Sequence, residues 1–493
     1  MAGNVTTRTQ VSGYRFHLKR MDHALIRGDV RMLTDPLRAQ NRALTVGLVI
    51  AVLGIAGCGV LAVLDPRDRL TDSKIAVGRE TKGMYVQVGD TFHPVTNLAS
   101  ARLILGETED AVMVNEDELA KHPRGPMLGI LGAPSAVRAV DHPDEFWTVC
   151  DTAKSGDDAG RTSVIVGVHP EAGSDGEAEQ LLVHGENTAV LVRRDQQHYL
   201  IYRGTRARVD IGAREVVRAF GLDGIQPREV NAGFLSSIPE VPPLESPTIS
   251  DKGENPNVPV AGRKIGEVVQ VNRAGETQHY VILADGVQAV GETVADLIRF
   301  TDSLGARAIP VIPPDAIRNV PTVTTLAVES YPAKLPTMIQ GADIDVICGS
   351  WGTSGDANNP IVATGRNLPL PAGAALVQRV GESDPDVLRA DDVYIPPGSG
   401  RYVYSTVAGH SPRTSQSSDA DHRLGLPHYV SDTGVRYGVS SREDADALGI
   451  EATAVPVPWN VLKLLDAGPA LTREDALVQH AGVPANPNRA SPN

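Results

Sequence analysis

HYVILADGVQAVGETVADLIRF, residues 279–300, decides the fold class of this chain. Tyr280 and Ile282, then Val287 and Ala289, alternate with period two on either side of Asp285-Gly286, which is the signature of a hairpin. After the second strand Glu292-Thr293 opens a stretch in which Val294, Leu297 and Ile298 recur at helical spacing. The segment therefore reads as a hairpin followed by a helix.

The same order recurs at Met84 to Gly106, His198 to Gly221 and His428 to Gly449, with Ser440-Ser441-Arg442-Glu443 as a helix start in the last copy. A unit of about 25 residues buries little on its own, so the copies must pack on one another or on a central body. Their irregular starts, near 84, 198, 279 and 428, speak against a regular solenoid and for units set around a core. The expected fold class is α+β, with a mixed, β-rich central core and four small hairpin-helix repeat domains. Only 4% aromatic residues, with 48 Gly and 35 Pro in 493 residues, favour short strands and turns over a helical bundle. A net charge of −14 disfavours binding to a nucleic-acid backbone.

These units divide the outer chain. The expected boundaries are 75–122 for the first repeat, 123–195 for the first part of the core, 196–235 for the second repeat and 236–262 for a Pro-rich surface connection. They continue as 263–306 for the third repeat, 307–410 for the second part of the core, 411–470 for the fourth repeat and 471–493 for a C-terminal tail, disordered from 481. The two core blocks hold Gly129-Ile-Leu-Gly-Ala-Pro134, Ser163 to Val168, Ala308 to Ile312 and Gly373-Ala-Ala-Leu-Val377. Each block also holds one Cys.

Those two, Cys150 and Cys348, are the only Cys of the outer region, and an isolated pair in an oxidising compartment is most simply a disulfide. Two separate buried thiols are the alternative; a zinc site is disfavoured because neither has a His at ligand spacing. Trp147 and Trp351 each lie three residues from a Cys, and an indole on each side of the bridge would give an aromatic-poor domain a buried nucleus.

Upstream, Ala43 to Leu64 (ALTVGLVIAVLGIAGCGVLAVL) carries no charge, and 22 residues of helix cover roughly 33 Å, enough for a bilayer core. A cleaved signal peptide would lie nearer the N-terminus, and a buried soluble helix would show a polar face. Residues 1–42 carry Arg8, Arg15, Lys19, Arg20, Arg27, Arg31, Arg38 and Arg42 against Asp22, Asp29 and Asp35, whereas charges just beyond the run nearly cancel. The positive-inside rule then puts the N-terminus in the cytoplasm and everything after residue 64 outside it. Within that basic segment Val11, Tyr14, Leu18, Met21 and Leu25 form one apolar stripe, with Ser12 as the expected N-cap. The stripe suits either a helix lying on anionic lipid or a docking helix for a cytoplasmic partner.

At this point the residues carry a resemblance. Thr9 to Phe16, Arg31-Met32 before one span, Phe92 to Leu103, Gly125-Pro126 to Gly132-Ala-Pro134, the Trp-flanked Cys pair, Pro456-Val-Pro-Trp459 and Gly468-Pro-Ala-Leu471 resemble the EccB family of mycobacterial type VII (ESX) secretion over nearly the whole chain. The resemblance implies an inner-membrane subunit built with EccC, EccD and EccE, self-associating through a periplasmic part that has a central core and four repeat domains. It also brings the family's description as ATPases, hence ATP as the one ligand to weigh.

The residues do not favour that activity. Gly-Lys occurs nowhere, so the phosphate cradle of a P-loop is missing. Val112-Met-Val-Asn-Glu-Asp-Glu118 imitates an acidic metal-binding strand end but reads as a solvated turn, and Pro396-Pro-Gly-Ser-Gly400 beside Arg401 reads as a hairpin connection. The 13 His show no ligand spacing; His198, His279 and His428 recur before a Tyr, which favours a structural hydrogen bond over a metal site. No nucleophile elbow is present. The expected function is a membrane-anchored structural subunit of a secretion core complex, with no catalytic residue, cofactor or metal. An ATP hydrolase and an envelope-binding module, which would need an exposed aromatic platform, are the alternatives.

Overall fold

The computed structural model describes residues 7–31, 36–64, 73–141, 144–153, 160–169, 181–273, 275–353, 359–379, 388–406 and 425–480. It divides into two units, Met1–Asp72 and Ser73–Asn493.

The first unit holds two helices. Helix α1 (Arg8–Arg27) starts one turn earlier than expected: Thr7, not Ser12, is its N-cap, because Thr7 and Gln10 form a reciprocal capping box. Gly28, left-handed at φ 66°, ends it. The side chains of Val11, Tyr14, Leu18, Met21 and Leu25 are all exposed. Helix α2 (Pro36–Leu64) contains the expected span, and its Gln40–Val60 stretch is long and apolar enough to cross a membrane. The near-cancelling charges Asp65 to Asp72 lie outside the described residues.

The second unit is β-rich, with mixed sheets. In chain order its first sheet comprises β1 (Ile75–Gly78), β2 (Met84–Val88), β3 (Thr91–Val95), β4 (Val112–Val114) and β5 (Met127–Leu128), with helices α3 (Leu98–Leu105) and α4 (Glu116–Leu119) between β3 and β5. Next come β6 (Phe146–Thr152), β7 (Thr162–Val166) and β8 (Leu182–Val183). The second sheet follows with β9 (Thr188–Arg194), β10 (Gln197–Tyr202), β11 (Thr205–Val209), α5 (Arg214–Ala219), β12 (Arg228–Glu229), α6 (Ala232–Ser237) and β13 (Glu240–Val241). The third has β14 (Val268–Arg273), β15 (Glu276–Leu283), β16 (Gly286–Val290), α7 (Glu292–Thr301) and β17 (Val311–Ile312). Then β18 (Thr337–Ile339), β19 (Val346–Gly352), β20 (Ile361–Gly365), β21 (Val377–Gln378) and β22 (Asp392–Tyr394) precede the fourth sheet, which has β23 (Arg401–Thr406), β24 (Pro427–Val430), β25 (Val435–Gly438), α8 (Arg442–Leu448), β26 (Val455–Pro458), α9 (Trp459–Leu462) and β27 (Asp466–Ala467). Helix α10 (Arg473–Ala476) and β28 (Gln479–His480) close the chain.

Four sheets share one strand order. In each, three consecutive strands run antiparallel, a strand after the helix pairs parallel with the first, and a further strand or bridge pairs parallel with the third. The hairpin–helix segment read from the sequence is thus the middle of a larger unit that begins one strand earlier and ends two pairings later. That moves several expected boundaries. Strands β5, β9, β17 and β23 fall in stretches assigned to the core but complete the surrounding sheets, since a lone hairpin leaves both its edges unpaired. The 236–262 connection is largely exposed or half-buried, as a surface course requires, but it is tied down along its length: β13 pairs with β11, and Leu244 and Val260 are buried. The tail does not begin at 471, because Leu471 is buried and β28 pairs with β5; residues 481–493 lie outside the described residues.

Packing joins the sheets in pairs. The first and fourth share one apolar cluster, with Leu103 of α3 and Leu448 of α8 in it, and the second and third share another through Val216 of α5 and Leu297 of α7. Between them lies the remaining sheet, in the order β21-β22-β7-β6-β19-β20-β8.

Cys150 of β6 and Cys348 of β19 are directly opposed in that sheet and bonded, 4.1 Å apart between Cα atoms. The indoles do not flank the bridge, however. Trp147 and Trp351 are opposed to each other in the same ladder, an odd number of residues away from the cysteines, and so fall on the other face of the sheet. The bond joins residues 198 apart in sequence, so Cys150→Ala with Cys348→Ala should lower the unfolding free energy by about 2–5 kcal/mol. Labelling of the denatured, unreduced wild-type chain should find one free thiol, Cys58; three would overturn the bridge.

Candidate functional site

A buried carboxylate stands at each end of β6. Glu145, one residue before it, faces Arg401 at the start of β23: Arg401 Nε donates to Glu145 Oε1 and Oε2 at 2.8 and 2.7 Å, and Nη2 to Oε1 at 2.5 Å. Nη1 of Arg401 donates to the carbonyls of Ser399 and Gly400. Both side chains are only 3% exposed. At the other end Arg228 of β12 donates through Nη1 to Asp151 Oδ1 at 2.5 Å, and its remaining donors reach the carbonyls of Asp151, Glu229, Ile344 and Asp345. Asp151 Oδ2 accepts the Asn231 N–H at 2.8 Å. Burial pushes the Asp151 carboxyl above the usual carboxylate range, against the opposing pull of Arg228 and the Asn231 N–H.

These pairs are structural. A guanidinium stripped of water is tolerated only when its donors are used, and both Arg401 and Arg228 spend theirs on a carboxylate and on carbonyls that fix neighbouring turns. They fasten the fourth and second sheets to opposite ends of one central strand. A third tie, Arg379 to Asp466 and the Leu464 carbonyl, holds β27 to the residues that follow β21. Desolvation lowers Arg379 to about 10.

The positions singled out for nucleotide chemistry are committed elsewhere. The Pro396 to Gly400 turn borders an open cleft of about 490 Å³, but its one guanidinium, Arg401, is the one paired with Glu145. Gly398 N–H is taken by Asp432. In the acidic stretch, Glu116 Oε1 accepts the N–H groups of Glu80 and Thr81 and the Thr81 hydroxyl, which hold its carboxyl below the usual range. It caps a turn rather than facing a ligand, so these residues do not fit ATP. No cluster of three metal-binding side chains exists among the described residues.

The three recurrent His do not share the expected hydrogen bond. Among the described residues neither the His198 nor the His279 ring has a side-chain hydrogen bond, and His428 Nδ1 is buried without a partner.

Sequence reading did not find Glu145, Asp151 and Arg228, and it named Arg401 only as the neighbour of a Gly-rich turn. The available signal was a charge set at the end of an apolar, strand-forming run, as in FWTVCDT and RYVYST. The exposed stripe of α1 belongs to the other unit.

The family model for the type VII secretion system ESX-1 transport transmembrane domain B matches residues 3–485. The ESX-3 secretion system ATPase EccB3 of Mycolicibacterium smegmatis is 38% identical over 500 residues, spanning 98% of this chain and 92% of the relative. The ESX-1 secretion system ATPase EccB1 of Mycobacterium tuberculosis is 30% identical over 496 residues, spanning 99% and 98%. Among solved structures, a chain of the intact ESX-5 inner membrane complex aligns with TM-score 0.71 at 29% identity, covering 100% of this chain and 99% of that one. The EccB3 dimer from the ESX-3 core complex gives TM-score 0.65 at 32% identity, covering 82% and 100%.

Arg401→Met strands the Glu145 carboxylate in the interior and should destabilise the chain by about 3–5 kcal/mol, read as a lower urea midpoint. Combining it with Glu145→Leu should restore most of the loss, because the unpaired charge goes with it.

Proposed function

The chain belongs to the EccB family of type VII secretion components, and from that premise we propose that it is the membrane-anchored scaffold that couples a cytoplasmic partner to a periplasmic assembly. Its relatives are components of ESX inner membrane complexes, with a periplasmic assembly and an EccB dimer among the solved forms. A structural role in such a complex fits this chain, and complex formation and self-association come with it.

The observation that carries the reading is the pairing of one apolar helix, Gln40–Val60, with a large second unit whose two fully buried ion pairs, Arg228–Asp151 and Arg401–Glu145, hold its own sheets together. In the orientation we propose, residues 1–42 are cytoplasmic and residues 65–493 periplasmic, as the basic N-terminal segment requires. The four sheets of shared strand order act as four repeat domains around the disulfide-linked core. The proposed partners are EccC, EccD and EccE type subunits. A cytoplasmic subunit docks on Val11, Tyr14, Leu18, Met21 and Leu25, which are exposed among the described residues.

The relatives' printed name includes ATPase, and we propose that this chain is not one and needs no cofactor. The support is the prior commitment of Arg401 and Glu116, together with the missing Gly-Lys cradle.

Tyr14→Asp with Leu18→Asp should cut co-purification of the cytoplasmic neighbour at least tenfold without changing the melting of the outer unit, since a charge in an apolar contact costs about 2 kcal/mol or more. Undiminished co-purification and secretion would mean that the stripe lies on lipid instead. The purified chain should release phosphate from ATP no faster than a buffer blank. A rate that survives several columns and disappears on one substitution in this chain would overturn the scaffold reading.

A further inference from the structure

Among the described residues, one cation of the fourth sheet has no carboxylate paired with its side chain. Arg436 of β25 stacks on the indole of Trp459, 4.8 Å from the ring centroid. Among the described residues it has no hydrogen-bond or ion-pair partner, and its Nε is buried. That contrasts with Arg228 and Arg401, whose donors are spent on carboxylates and carbonyls. Beside it His428 of β24 is 8% exposed, its ring 6.2 Å from the same indole, and its Nδ1 is buried and unpartnered. Directly across the ladder from His428 is Gly438, where an added Cβ would meet nothing within 4 Å. Trp459 itself is 41% exposed, whereas Trp147 and Trp351 are fully buried.

Each feature asks for something different from an occupant. The partly desolvated guanidinium requires an anion, and a planar carboxylate matches its fork. The His428 Nδ1 requires a donor or acceptor such as a hydroxyl; burial and the nearby Arg436 push this ring below the usual His range, against the pull of the Leu426 carbonyl. With one face of the indole under Arg436, the exposed remainder of Trp459 offers an apolar surface that a C–H face can cover. A uronic-acid-type pyranose carries a carboxylate, hydroxyls and a C–H face on one rigid ring.

We propose that Arg436, His428 and Trp459 form a binding site for an acidic saccharide, with the sugar carboxylate on Arg436, a ring hydroxyl on His428 Nδ1 and a C–H face against Trp459. An acidic polypeptide would neutralise Arg436 but has no rigid hydroxyl-bearing ring to use the other two groups. The inference stands on these side chains alone and not on the scaffold role.

The test is calorimetric titration of the full-length, detergent-solubilised chain, at low salt, with tetragalacturonic acid, its neutral methyl ester and hexaglutamate. Saturable binding of the acid, at least tenfold weaker binding of the ester and of hexaglutamate, and at least tenfold loss in Arg436→Gln support the site. Trp459→Phe should weaken the acid several-fold. Because Trp459 is the one exposed indole of the three, a saturable emission change in the wild-type chain gives a readout that survives poor folding of a variant. No saturable binding to the wild type, equal affinity for ester and acid, or full affinity in a folded Arg436→Gln chain overturns the proposal. Hexaglutamate binding as tightly as the sugar overturns it in favour of a polypeptide anchor.

Discussion

Register along one strand governs the outer unit. In β6 the side chains of Trp147, Val149 and Asp151 point to one face, with Glu145 in phase just before them, while Cys150 points to the other. The bond between Cys150 and Cys348 pins the pairing of β6 with β19, and through it sets Trp147 opposite Trp351 and Asp151 opposite Ile347. A slip of one residue would turn two carboxylates and an indole to the wrong side of the sheet. The two ion pairs therefore fence an apolar centre, and each reaches out to a different sheet.

That arrangement explains why a chain with so few aromatic residues holds a large β-rich unit together. Apolar clusters join the outer sheets two by two, a further cluster built on Trp147 and Trp351 joins the second and fourth of them to the middle, and the buried ion pairs fix the ends of that contact. A buried pair of this kind contributes little net stability but penalises heavily any packing that separates its members. Such an interior suits a structural part that keeps a fixed shape within a larger complex.

The hairpins and helices were legible because their signals are local: a turn dipeptide between alternating residues, then apolar spacing of three and four. Strand β2 and its counterparts could be found from Tyr85, Tyr199, Tyr280 and Tyr429, which occupy the same place in each copy. Strands β12, β13, β17 and β27 were not legible, since two residues carry no periodicity and owe their conformation to an edge formed elsewhere. The cysteine pair stood out by elimination, but the face of the sheet that each Trp occupies depends on which strands pair, as does the meeting of Asp151 with Arg228. Partners 77 residues apart leave no mark at either position. The Thr7 cap was missed because Ser12 is an equally good capping residue, and only the reciprocal bond with Gln10 separates them.

The first sheet is finished by almost the last described residues. Strand β28 pairs with β5, His480 Nε2 meets the Gly129 carbonyl at 2.7 Å, and Leu471 and Ala476 enter the cluster built on α3. A sheet that takes an edge strand from β28 is not complete until residues 479–480 have been made. Loop closure over such a distance is slow compared with a local hairpin. Until it occurs, the β5 edge stays open to any other strand. A chain cut after residue 470 keeps β26 and β27, and with them three complete sheets around the central one, but leaves the β5 edge of the first sheet unsealed.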